Sequence, residues 1–422
     1  LNAETWFVIS SLLAPIGFVL QDVVADAMTV EAVPKIDDNG EEIDFKDLTT
    51  MNISMQLLGR VSIIFGTLLV SMLNLIVFAD SSEMTELEKI NAYGKIYLYS
   101  LIVPLISISG IFLAYINKQN KLNSLIKNGI APLKAKGMIF ISPELTKPNV
   151  LIIIGSIIFV LFTLFIGTSK IQFSQEIVFV GSFGIILLLL IKLSNELDTK
   201  AKRMLLGTAI IIFVFRAMPG VGQGGSWFEI DVLKFDQEFL SLLGLIASFL
   251  TIFGIFILRP LMEKSSMSRL IIILSVAGSI FILPSIAMYY GFHEYTSKLT
   301  GGIVDERFIA IFNTALESPL GQVSMIPILA WIAQSAPSHL KATFFAILAS
   351  FTNLALSASN LGTKYLNQIF VITREVKTEQ GEIKIPADYS ELGILLIIVC
   401  LLTLIVPIII TFVIKKLRLI SY

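Results

Sequence analysis

Charge is scarce in this chain. Asp, Glu, Lys and Arg make up only 15% of its 422 residues, hydrophobic residues make up 55%, and mean hydropathy is +0.83. A soluble domain runs near a quarter charged because its surface faces water, so an integral membrane protein is expected. Cysteine is nearly absent: Cys400, inside an apolar run, stands alone, which excludes a disulfide framework and a cysteine-based metal site. The two histidines, His293 and His339, are too few for a His-ligated metal centre. There is no basic tract, and 31 basic residues balance 32 acidic ones to a net charge of −1, so no nucleic-acid partner is expected. No Ser-His-Asp, Cys-His or His-Glu-x-x-His arrangement occurs, which leaves a membrane enzyme without a nucleophile. Strand-type alternation is missing from the apolar runs, and that excludes a barrel. The chain also lacks an initial Met, opening on Leu1 and turning apolar by Trp6, so its true start is expected to lie upstream.

What the chain has is apolar runs of spanning length. A hydrocarbon core near 30 Å takes about 20 helical residues, and eleven runs qualify: 5–29, 51–79, 96–116, 149–168, 176–193, 204–220, 238–258, 270–291, 308–336, 340–372 and 391–414. The connectors are short. The acidic 34–50, the basic 117–147 and the charged 373–390 are the largest, and none is long enough for a soluble domain. Lysine and arginine set the orientation. One set of alternate connectors carries nineteen of them and the other nine. The basic-rich set is read as cytoplasmic, with the C-terminus inside and residue 1 outside. An odd number of spans missing upstream, such as three, would restore an internal start.

Ionisable groups inside a span are costly unless they face a cavity or a partner. In the first run, Asp22 and Asp26 lie at i and i+4, on one helix face. Two carboxylates so placed can share an exchangeable proton, and the pair is a candidate coupling site. The alternative reading has Asp26 meet the interface or pair with Arg60 on the next span. Arg216 closes the 204–220 run and is followed by Pro219, Gly220, Gly222, Gly224 and Gly225. Proline and clustered glycines there predict a broken helix of the kind that lines transporter sites, and an arginine fork suits a carboxylate. The alternative is an outer loop with Arg216 snorkelling to water. Glu317, Pro319, Gly321 and Gln322 interrupt the 308–336 run and predict a kink, with Glu317 facing a cavity or gate. A salt bridge from Glu317 to Arg307 or Arg216 is the other reading. On the 340–372 run, Asn353, Ser357, Ser359, Asn360 and Lys364 recur near helical spacing; helix–helix contact is the plainer account, with Asn353 a candidate substrate contact and Lys364 a candidate ion-pair partner.

Three segments carry a family resemblance. Gln21-Asp-Val-Val-Ala-Asp-Ala27 is similar to an Asp-Val-Val-Val-Asp fourth helix. Phe215-Arg-Ala-Met-Pro219, followed by Leu233 to Gly244, is similar to an entry to helix seven and a turn into helix eight. Pro327-Ile-Leu-Ala330, Ala336-Pro337 through Ala342-Thr-Phe-Phe-Ala346, and Ser350-Phe-Thr-Asn353 resemble a helix ten-to-eleven stretch. Together they resemble the folate-biopterin transporter family of the major facilitator superfamily. Pro15-Ile-Gly17 and Pro319-Leu-Gly321 fall in similar places, as parallel halves of that fold would require. Two departures stand out: Lys341 occupies the place before Ala-Thr where an acidic residue is usual, and the 149–168 and 176–193 runs are extra.

The resemblance implies an all-α, two-bundle carrier. Residues 1–116 would hold the rest of the first bundle (helices four to six), 117–203 a central linker with the two extra spans, and 204–422 the second, six-helix bundle. It implies alternating access, a folate or pterin solute, protons as coupling ion, the lipid bilayer of the cell membrane as setting, and no cofactor. Arg216, Glu317, Gln322 and Asn353 become the expected solute contacts, Asp22 and Asp26 the coupling groups, and Arg60 and Lys364 ion-pair candidates. A carrier for another organic metabolite and a non-transporting membrane sensor are the alternatives.

Overall fold

A computed structural model of the chain describes residues 43–77, 85–127, 131–139, 150–169, 171–195, 197–335, 341–377 and 383–419, with scattered positions in residues 6–33 and residue 129. Helix dominates. The positions described between Trp6 and Met28 are all helical. Beyond them run α1 (Phe45–Val77), α2 (Glu86–Ser100), α3 (Ile102–Lys127), α4 (Pro132–Ile139), α5 (Val150–Thr168), α6 (Ser174–Ser194), α7 (Thr199–Arg216) and α8 (Gln223–Asp231). Then come α9 (Gln237–Ile257), α10 (Arg259–Lys264), α11 (Met267–Tyr289), α12 (Phe292–Leu299), α13 (Glu306–Glu317), α14 (Met325–Ser335), α15 (Lys341–Ile369) and α16 (Leu392–Lys416). Between α15 and α16, Val376–Lys377 and Ile383–Ile385 pair as a small antiparallel hairpin.

Six described stretches, among them Ser174–Ser194, Met267–Tyr289 and Leu392–Lys416, are long and apolar enough to cross a membrane. Ile153–Gly167 and Leu242–Ile257 are shorter apolar helices. Their outer faces bear side chains such as Phe165, Val180, Leu188, Phe249, Ile257 and Phe412, each about half exposed or more. That much exposed apolar surface is expected against lipid and not against water. The chain is an all-α, multi-pass membrane protein. Two expected runs end differently from the apolar pattern: 204–220 stops as helix at Arg216, and 308–336 is divided by a short 3-10 turn, Ser318–Leu320, between α13 and α14.

Contacts divide the chain into two compact units, residues 1–64 with 154–422, and residues 65–153. In the second unit, α2 starts with a capping box: Thr85 accepts from the Glu88 amide while the Glu88 carboxylate accepts from the Thr85 amide at 2.8 Å. Such reciprocal bonds satisfy two amides that a helix start leaves free. In the first unit, single aspartates cap three helices. Asp198 accepts from Ala201, Asp236 from Phe239 and Asp305 from Phe308. The α11–α16 pair is joined through small and polar positions. Ser279 Oγ donates to the Cys400 carbonyl at 3.3 Å, Ser275 and Thr411 are buried, and Gly278 faces Thr403. Small residues let helix backbones approach where lipid removes any hydrophobic drive to associate.

Ion pairs tie the connectors. Arg307 meets Asp236 at 2.8 Å and lies over the Phe239 ring. Arg374, just before the hairpin, grips both carboxylate oxygens of Asp231 at 2.8 and 2.9 Å, and the Tyr389 hydroxyl donates to the same carboxylate at 2.6 Å. The Arg374 fork, then the Tyr389 bond, hold the Asp231 carboxyl below the usual aspartate range. Loss of water, and then the Asp231 charge, push the Tyr389 phenol up to about 12. A lowered acid stabilises the fold above its unfolded pKa, and that contribution is lost as pH falls through the lowered value. A raised phenol stabilises it below its unfolded value of 10.0 and fails as pH climbs through about 12. This staple is therefore at full strength across the neutral range.

Candidate functional site

The break after α7 is the site's organising feature. Asp198 starts the helix, and 18 residues carry it to Arg216, a rise of about 27 Å. The Ala217 amide still bonds Phe213, but Pro219 has no amide to give and fixes its own backbone. Gly222 adopts a φ of +79°, in the left-handed region open to glycine. A Cβ at Gly222 would stand 2.9 Å from the Asn367 side chain, and one at Gly224 would stand 2.8 Å from Ile372. Glycine is thus required for the turn at Gly222, and Gly222 and Gly224 leave room for Asn367 of α15 and for Ile372 just beyond it.

The backbone freed by the break is satisfied from α15. Ser359 Oγ donates to the Met218 carbonyl at 2.6 Å, the Gly220 amide donates to Thr363 Oγ1 at 2.9 Å, and Asn367 Nδ2 donates to the Val221 carbonyl at 3.1 Å. Ser359, Thr363 and Asn367 stand four residues apart, so one face of one helix presents all three. Without them these backbone groups would lose their partners in the protein, which costs free energy wherever water is excluded. Thr363→Val keeps the shape and removes the acceptor for Gly220. The expected result is a loss of about 0.5–1.5 kcal/mol of stability, read as a lower melting temperature of the purified protein, with Thr363→Ser near wild type. Equal melting of Val and Ser variants would mean that Gly220 finds another partner.

The stripe of α15 residues read from the sequence divides in two. Asn353, Ser357 and Asn360 are exposed, whereas Ser359 belongs to the face that closes the break. Thr363 and Asn367, its two partners there, escaped the sequence reading. Lys364, at the same end of the helix, donates to Glu176 of α6 at 2.7 Å, and the Tyr365 hydroxyl reaches the same oxygen at 2.8 Å. The first turn of α6 is thereby fastened to the helix that supports the break.

Arg216 itself is half-buried, with Nη1 3.1 Å from Met325 Sδ. Among the described residues it pairs with no carboxylate. Glu317 ends α13, is exposed, and forms no ion pair among the described residues. The bridge read as an alternative, from Glu317 to Arg307 or Arg216, is not formed, since Arg307 is held by Asp236. The kink after Glu317 is secured from α9, where Thr251 Oγ1 donates to the Ser318 carbonyl at 2.9 Å. Gln322 follows, with its side-chain oxygen buried and unpartnered among the described residues. Ile326 N donates to the Gln322 carbonyl, a helical bond that sets Gln322 and Met325 on neighbouring positions of one face.

On the other side of this region, Arg60 is half-buried on α1. Leu57, Val61 and Ile64 around it share an apolar cluster with Phe215, Val323 and Ile326. Ser54, lower on α1, accepts from Arg259 Nη2 at 2.9 Å, while Arg259 Nε holds Glu263 at 2.7 Å. Asp22 is helical and half-buried. Asp26, the second carboxylate of the expected pair, lies outside the described residues, as does Pro15.

A family model described as the BT1 family matches residues 3–421. A protein named folate-biopterin transporter, from Synechocystis sp., is 23% identical over 156 residues, which cover 37% of this chain and 30% of that relative. The matched stretch is therefore under a third of the relative's length. No solved structure matches the chain.

Proposed function

The chain belongs to the BT1 family, a family of membrane transporters and not of enzymes, and from that premise we propose that it is a secondary carrier for folate- or pterin-type solutes. The observation that carries the reading is Arg216, half-buried at the end of a broken helix and without a carboxylate partner among the described residues. An isolated guanidinium at membrane depth costs free energy unless something anionic visits it. Its planar fork suits the carboxylates that a folate carries. The name of the Synechocystis relative supports the same solute class.

In this proposal residues 1–116 and 204–422 supply the two bundles that alternate access, and 117–203 supplies the linker with two added spans. Gln322 and Asn353 line the solute path with Arg216, and Glu317 serves its gate. Asp22 and Asp26 couple the cycle to protons. The C-terminus lies in the cytoplasm and the bilayer is the cell membrane. The purified protein in liposomes tests the reading. Radiolabelled folate is expected to accumulate when the lumen is alkaline and to equilibrate without the gradient. Uptake equal to that of empty liposomes under both conditions would refute a folate carrier.

A further inference from the structure

We infer that Arg60 and Arg216 are the two arms of a single anion site, built for a solute with two negative charges. The inference deepens the proposed function and rests on its reading of Arg216 as an anion contact. Three observations carry it. First, the residues flanking the two arginines interlock: Leu57, Val61 and Ile64 of α1 meet Phe215 of α7 and Ile326 of α14 in one apolar cluster. Second, both arginines are half-buried beside that cluster, and neither has a carboxylate partner among the described residues. Among the described residues of this unit, Arg259, Arg307 and Arg374 meet carboxylates at 2.7–2.9 Å, and Arg203, Arg269 and Arg418 are unpaired but exposed, so Arg60 and Arg216 are the ones both half-buried and unpaired. Third, Gln322 brings a buried, unpartnered amide oxygen to the helix face that holds Met325, the residue Arg216 touches.

Two cations held beside one apolar cluster are unfavourable until a counter-charge arrives. A dianion satisfies both at once, with one fork for each carboxylate. A monoanion leaves the second cation exposed to the first. Selectivity for two charges over one thus arises from repulsion in the empty site, and the Gln322 oxygen remains to accept a hydrogen bond from a solute N–H or O–H.

The test uses thermal unfolding of the full chain in detergent, with glutarate as dianion and butyrate as monoanion at matched ionic strength. Wild type is expected to bind glutarate about tenfold or more tightly than butyrate, the size of one added charge-assisted contact. Arg60→Gln is expected to melt no lower than wild type without ligand, because a repulsion has been removed. Its preference for glutarate should collapse to within about twofold. Arg60→Lys, which keeps charge but not fork, should fall between. If Arg60→Gln melts well below wild type and Asp26→Asn does the same, Arg60 is the partner of Asp26 and the inference fails. An unchanged glutarate preference in Arg60→Gln also overturns it. A glutarate preference that Arg60→Gln abolishes, in a protein that takes up no folate, would keep the two-armed site and remove the folate reading. Folate uptake indifferent to Arg60 would do the reverse.

Discussion

Arg216→Ala is expected to weaken folate binding about ten- to a hundredfold while changing the binding of a pterin without carboxylates little. Charge-assisted hydrogen bonds contribute roughly 1.5–3 kcal/mol each, and 1.4 kcal/mol is a factor of ten. Among the described residues the guanidinium hydrogen-bonds only the Met325 sulfur, a weak acceptor, so little polar interaction is lost from the empty protein when it goes. That asymmetry makes the experiment clean: the cost appears with ligand and not without it. Arg216→Lys should recover part of the loss, since an ammonium keeps the charge but cannot present two parallel bonds. Equal weakening of both solutes, with folding intact, would assign Arg216 to packing between α7 and α14. Unchanged binding of both would remove the anionic-solute argument from this residue.

The second large effect is expected at Asp22. Asp22→Asn should bring gradient-driven uptake down to the level seen without a gradient, while exchange of labelled for unlabelled solute continues. Asparagine keeps the size and a carbonyl acceptor of the side chain but cannot carry an exchangeable proton, so binding and the conformational cycle are expected to survive when coupling does not. Asp22 is half-buried on a helix, and Asp26 follows it by four residues, the spacing at which two carboxylates can share a proton. Driven uptake that persists in the variant would make Asp22 a structural residue.

Composition and run length made the all-α membrane class legible, because charge content and 20-residue apolar runs depend on the bilayer and not on how helices meet. The break after Arg216 was legible too, since proline and a glycine at positive φ are local requirements. Its supports were not. Ser359, Thr363 and Asn367 read as three polar residues on a helix with many, and only the contact with Met218, Gly220 and Val221 distinguishes them from the exposed Asn353, Ser357 and Asn360. Thr251 was equally silent, for its bond to Ser318 spans 67 residues of sequence. Glu176 passed as an ordinary polar residue at a span end, and its ion pair with Lys364 is a long-range pairing across two helices that no spacing rule encodes. The missing salt bridge at Glu317 has the same origin: a nearer aspartate, Asp236, had already taken Arg307.

The supports of the break have a consequence for how the protein is made. The side chains that bond Met218, Gly220 and Val221 lie 141, 143 and 146 residues further along the chain. At synthesis rates of about 5–20 residues per second, they emerge on the order of ten to thirty seconds later. Through that interval the three backbone groups lack these side-chain partners. They take up their final bonds when α15 arrives. The interruption that positions Arg216 is in this sense the property of a late assembly step, and an isolated span ending at Gly222 would not reproduce it.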